Sequence, residues 1–150
     1  MIWPPHCLIG TPGHNVYAPL LEQLLKWEVD NRAMVDYITK GSNPYTEHYS
    51  AIKADVPDPA DVTTKVNIGF IETLENADLI LIAGEASSHC VANTLRDVVN
   101  EFSNKECAKT IMLLTDAMSP VYQCEQLQND FFAEMQSYGV LFGTTTDILK

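Results

Sequence analysis

Three short, unbroken apolar runs shape the second half of the chain: residues 79–83 ("LILIA"), 110–115 ("TIMLLT") and 140–142 ("VLF"). A run without polar alternation marks a strand covered on both faces, as in a parallel sheet. Between the runs, apolar residues return at helical spacing. Val91, Leu95, Val98, Val99 and Phe102 make one such stripe; Leu127, Phe131, Met135 and Tyr138 make another. Upstream, "VYAPLLEQLLKWEV" (16–29) places Leu20, Leu21, Leu24 and Leu25 on one helical face. "MVDYIT" (34–39) then reads as a strand, and residues 64–77 as a helix with Val66, Phe70, Leu74 and Ala77 in register. Gly139 is placed to cap the last long helix in the left-handed conformation, and "TTDIL" (145–149) adds a terminal turn. This alternation predicts an α/β fold: a parallel sheet between helical layers, three-layer α/β/α, in one domain over residues 1–150. The pattern opens on a helix with no strand ahead of it.

Nine basic residues against twenty acidic ones give a formal charge of −11. That balance repels nucleic acid and anionic membranes, so neither is an expected partner, whereas a small neutral substrate is not disfavoured. No apolar run has the length that spans a bilayer. "MIWPPHC" carries no secretory pattern, and the expected setting is cytoplasmic. Residues 41–63 are irregular and contain Pro44, Pro57 and Pro59. A loop of that length in a compact domain is often functional.

The four cysteines, Cys7, Cys90, Cys107 and Cys124, form no C-x-x-C pair and no zinc-finger spacing, and they read as free thiols. Cys90 stands out by position, because it follows the "LILIA" strand and opens a helical stripe. In an open α/β sheet, chemistry gathers where strand ends meet helix N-termini. A thiol there feels the positive end of the helix, which favours the thiolate. Unused N–H groups in the same turn are suited to an oxyanion. Lys40, at the end of the strand over 34–39, is a candidate ammonium partner. Two other readings compete. Cys90 and Arg96 have the C-x5-R spacing of thiol phosphatases, with His89 alongside, but "VANTL" lacks the glycine that a phosphate cradle needs. Alternatively, Cys90 is a small buried hydrophobe.

"GEASSHCVANTLRD" (84–97), with "KGSNPYTEHYSA" (40–51) and "WPPHCLIGTPG" (3–13) upstream, resembles the isochorismatase-like cysteine hydrolases that include the nicotinamidases. "LLTDAMSPV" and "YGVLF" carry the resemblance to the C-terminus. It implies a six-stranded parallel sheet in the order 3-2-1-4-5-6 between helices, and a triad of aspartate, lysine and cysteine. Matched by position, Cys90 is the nucleophile and Lys40 the triad lysine. The resemblance further implies a cis peptide between Glu85 and Ala86, and an oxyanion hole from the N–H groups of Ala86 and Cys90. The reaction implied is hydrolysis of a small amide through a thioester.

The departures are specific. The family aspartate, on the first strand, has no counterpart here. Of the nicotinamidase metal motif only the last histidine is matched, by His6, so no cofactor is expected within the chain. A zinc-type metal is expected only if the missing ligands are restored. Ser88 stands where many members carry aspartate. Tyr45, His48 and Tyr49 are candidate pocket residues; Cys7, Cys107 and Cys124 are read as structural, and Asp116 has no triad role. With the 34–39 strand third and "LILIA" fourth, two absent strands leave a gap of roughly 14 Å. The expectation is an N-terminally truncated hydrolase that works with a complementing N-terminal segment or as a homo-oligomer. Its alternative is a non-catalytic fragment or subunit.

Overall fold

The three apolar runs become three parallel strands in the computed structural model, which describes residues 3–148. They are β1 (Ile80–Ile82), β2 (Ile111–Leu114) and β3 (Leu141–Gly143), side by side in chain order. Ile80 pairs with Ile111 and Ile82 with Leu113; Met112 then pairs with Leu141. The α/β class with a parallel sheet is therefore the observed one. Two units make up the chain, Met1–Ile38 and Thr39–Lys150.

In the first unit, α1 (Ala18–Asn31) starts with proline in its first turn and ends at Arg32, whose φ of 51° is left-handed. Its apolar residues are laid out as the sequence suggests, yet none of them is buried. Residues 34–39 do not form the predicted strand. They join no ladder among the described residues, and Lys40 accordingly lies in irregular backbone. β-like composition makes a strand only when a partner accepts its hydrogen bonds.

The second unit carries the core. Helix α2 (Ile68–Glu75) is capped by Asn67, whose side chain accepts from the Phe70 N–H, and α3 (Cys90–Glu101) and α4 (Glu125–Ser137) follow β1 and β2. Ile71, Leu95, Val98, Val99, Phe131 and Met135 pack against Ile80, Ile111 and Leu113 in one continuous cluster. Side chains alternate across a strand, so Leu81 and Leu141 point to the opposite face, where they are 42% and 45% exposed. A left-handed Gly139 follows α4, with φ of 85°. The C-terminal "TTDIL" turn is a short helix, α5 (Thr145–Ile148), anchored by Asp116, which accepts from the Thr145 N–H at 2.8 Å; Leu149 lies outside the described residues. No helix among the described residues is long and apolar enough to cross a membrane.

The long irregular segment after Lys40 is fixed to α3. Ile52 and Ala54 are buried, the Ala51 N–H donates to Thr94 Oγ1 at 3.0 Å, and Lys53 Nζ reaches Glu101 at 2.8 Å and Asp97 at 3.4 Å. These carboxylates, the hydrogen bond to Glu101 foremost, raise the Lys53 pKa above its ordinary value. A raised basic group adds stability that is whole below its unfolded pKa and lost as pH rises through the folded one. Lys53→Met is therefore expected to cost about 1 kcal/mol at neutral pH. The cost should vanish in alkaline solution above the ordinary lysine range, as read by urea unfolding at several pH values.

Candidate active site

Gly84 and the peptide after it set the site's geometry. Directly beyond β1, Gly84 has a φ of 116°, a conformation that side-chain-bearing residues rarely hold. The Glu85–Ala86 peptide is cis. Neighbouring segments hold this turn: the Gly84 N–H donates to the Ala117 carbonyl and the Ser87 N–H to the Ser119 carbonyl, both at 2.9 Å. Ser119 Oγ donates to Glu85 Oε1 at 2.8 Å, and buried Ser87 donates to Gln128 at 2.5 Å. The chain then enters α3 at Cys90.

Half-buried Cys90 is the first residue of that twelve-residue helix. Lys40 Nζ lies 3.6 Å from its Sγ and donates to the His48 carbonyl at 2.8 Å. The loop clamped to α3 thus delivers an ammonium to a sulfur fifty residues away in sequence. Among the described residues, neither the Ala86 nor the Cys90 N–H is paired with a protein acceptor, while the Ala86 carbonyl receives the His89 and Val91 N–H groups. Cys90 and Lys40 lie at one end of a groove of about 270 Å³, which Glu85, Thr94 and a set of apolar side chains also line.

The other candidates are placed differently. Tyr45 is 90% exposed and lies outside the groove; its N–H is held by Asn43 Oδ1, a turn that sends the ring to solvent. His48 is buried and lines a smaller hollow that Lys40 also lines. Tyr49 packs its ring on His89, centroids 5.9 Å apart. Ser88 is buried, accepts from the Val121 N–H and bonds to His89 Nδ1, which makes it part of the turn's framework. The phosphatase geometry is absent. Arg96 lies on the helix side facing α4, where Nε donates to Glu134 at 2.6 Å and the guanidinium covers the Phe131 ring. Six residues along a helix carry a side chain most of the way to the opposite face.

His6, in the first unit, is exposed and its Nδ1 contacts the Pro4 carbonyl at 2.7 Å. No three His, Cys, Asp or Glu side chains converge as a metal site among the described residues. The residues present do not fit a metal. Sequence reasoning missed Thr94 and the ties from Glu85 and Ser87. Thr94 was legible, since it lies four residues after Cys90 and so on the same helix face; the ties bridge distant segments and left no local signal.

The overall path of the backbone is shared with solved structures. The fold is that of the nicotinamidases. A structure titled as an Acinetobacter baumanii nicotinamidase/pyrazinamidase superposes with a TM-score of 0.63 at 22% identity, covering 98% of this chain and 61% of that one. The yeast nicotinamidase bound to the inhibitor nicotinaldehyde gives 0.64 at 20% identity, covering 95% and 58%. A Pyrococcus horikoshii pyrazinamidase in complex with zinc gives 0.58 at 21%, covering 95% and 63%. The chain thus spans about three-fifths of these nicotinamidase-fold structures. No protein-family model matches the sequence, and no curated protein matches it.

Proposed function

We propose that this chain carries the nucleophile-bearing part of an isochorismatase-like cysteine hydrolase that splits a small amide, as its nicotinamidase-fold neighbours are named for doing. The observation that carries the reading is the 3.6 Å contact between Lys40 Nζ and Cys90 Sγ at the start of α3. A negative charge on the reacting sulfur would be met there by an ammonium and by the N-terminal end of a helix. The thiolate attacks the amide carbonyl, and the Ala86 and Cys90 N–H groups receive the oxyanion. The C–N bond then breaks, ammonia or an amine leaves with a proton, and water splits the thioester to the acid and restores the thiol. The aspartate that handles these protons in the family the sequence resembles has no counterpart here.

A second reading is a non-catalytic subunit. Alkylation separates the two. Iodoacetamide near neutral pH is expected to modify Cys90 ahead of Cys107 and Cys124, with site occupancy read by peptide mass spectrometry. Lys40→Met removes a charge-assisted contact worth roughly 1.5–3 kcal/mol. With that contact gone, alkylation at Cys90 is expected to slow about tenfold. Equal labelling of the two proteins would favour the subunit.

A further inference from the structure

Glu85 is the one carboxylate that lines the Cys90 groove among the described residues, and it has no cation of its own. The other polar side chains there are Lys40, Cys90 and Thr94; the rest are apolar. Lys40 is taken up by the Cys90 sulfur and the His48 carbonyl, and Thr94 Oγ1 by the Ala51 N–H. Glu85 forms no ion pair among the described residues. Its carboxylate is nevertheless held in place. Ser119 Oγ donates to Oε1 at 2.8 Å, and the Ser119 carbonyl accepts from the Ser87 N–H, which ties the same strap to the turn that opens α3. Among the described residues Oε2 receives no protein hydrogen bond, so one oxygen is left for a ligand.

We infer that Glu85 sets the substrate class of this site: a small amide that carries a positive charge, such as an alkylammonium group, is preferred over a neutral amide, and an anionic one is turned away. The inference rests on the proposed hydrolase reading and deepens it. The charge balance carries it. With Cys90 as thiolate, Lys40 offsets the sulfur, and Glu85 leaves the groove with an excess negative charge. The formal −11 of the whole chain has the same sign. Apolar walls focus such a field, and a few placed polar groups then decide what binds. One contact ion pair in water is worth about fivefold in binding, and a carboxylate in the same place meets repulsion of similar size.

The test uses three amides that share a two-methylene arm: 3-aminopropanamide, which is cationic, butanamide, which is neutral, and succinamate, which is anionic. Each competes with iodoacetamide for Cys90, and residual alkylation is read by peptide mass spectrometry. The cationic amide is expected to give half-protection at a concentration at least about fivefold lower than butanamide, with succinamate the weakest, and added salt should shrink these differences. Glu85→Gln keeps an oxygen for Ser119 and removes only the charge, so the three amides should converge. Asp130→Asn removes the same charge from α4, outside the groove, and should leave the ranking intact. Equal protection by all three in the wild type, a ranking that survives Glu85→Gln, or butanamide as the best protector would overturn the inference and leave the hydrolase reading standing. Protection by none of them would overturn both.

Discussion

On the proposed reading, ammonia release from small amides such as nicotinamide is expected to fall at least about a thousandfold in the Cys90→Ala variant. Removing a covalent nucleophile costs far more than removing a positioning contact, because the remaining groups cannot form the intermediate. The lysine and the unpaired N–H groups of Ala86 and Cys90 survive the substitution, so any residual rate measures binding and oxyanion support alone. Nicotinaldehyde gives a reading independent of turnover. An aldehyde adds reversibly to a thiol, the sulfur bonding to carbon and the oxygen taking up the proton. Calorimetric titration should show that binding to the wild type and lose it in Cys90→Ala. Ammonia release surviving at more than a tenth of the wild-type rate would remove Cys90 from the chemistry. Alanine is a better helix former than the cysteine it replaces at the first position of α3, and loss of activity with no drop in the unfolding midpoint would exclude misfolding as the cause.

What the sequence disclosed follows from how local each signal was. The three strands were legible because a buried parallel strand writes itself as an unbroken apolar run, and α3 and α4 because their stripes are read within one element. Cys90 was legible for the same reason, at the junction of a run and a stripe. Lys40 was reached through its place in the "KGSNPY" stretch, and its route to the sulfur was misjudged: the predicted strand over 34–39 has no ladder, and the lysine is held by the His48 carbonyl and the loop clamped to α3. Tyr45 lies outside the groove, because side-chain direction in a loop depends on one turn's hydrogen bond. The ties Ser87–Gln128 and Glu85–Ser119 join positions more than thirty residues apart, and no spacing encodes such pairs. The apolar face of α1 shows the converse: periodicity predicts amphipathicity, but burial requires a partner surface, and α1 has no buried residue.

Phe131→Ala is expected to destabilise the second unit by about 4 kcal/mol, within the roughly 3–5 kcal/mol typical of a buried phenylalanine truncated to alanine. Phe131 is fully buried in α4, in the cluster that includes Ile111, Leu113 and Met135. Its ring also meets Phe132, centroids 5.6 Å apart, and lies under the Arg96 guanidinium at 5.7 Å. Truncation removes the apolar contact, leaves a cavity that the helix and sheet cannot close, and strips one face of the arginine. Set against a typical total of about 5–15 kcal/mol, that loss brings the unit near its unfolding threshold. Phe131→Leu keeps much of the volume and should recover more than half of the loss. Trp27→Ala provides the contrast, since that ring is 47% exposed and its helix buries nothing; a change within about 0.5 kcal/mol is expected. Urea unfolding followed by circular dichroism reads all three. Phe131 does not line the groove at Cys90, so below its lowered midpoint Phe131→Ala should be alkylated at the wild-type rate. A large loss from Trp27→Ala, or a small one from Phe131→Ala, would place the stabilising core elsewhere than between α2–α4 and the sheet.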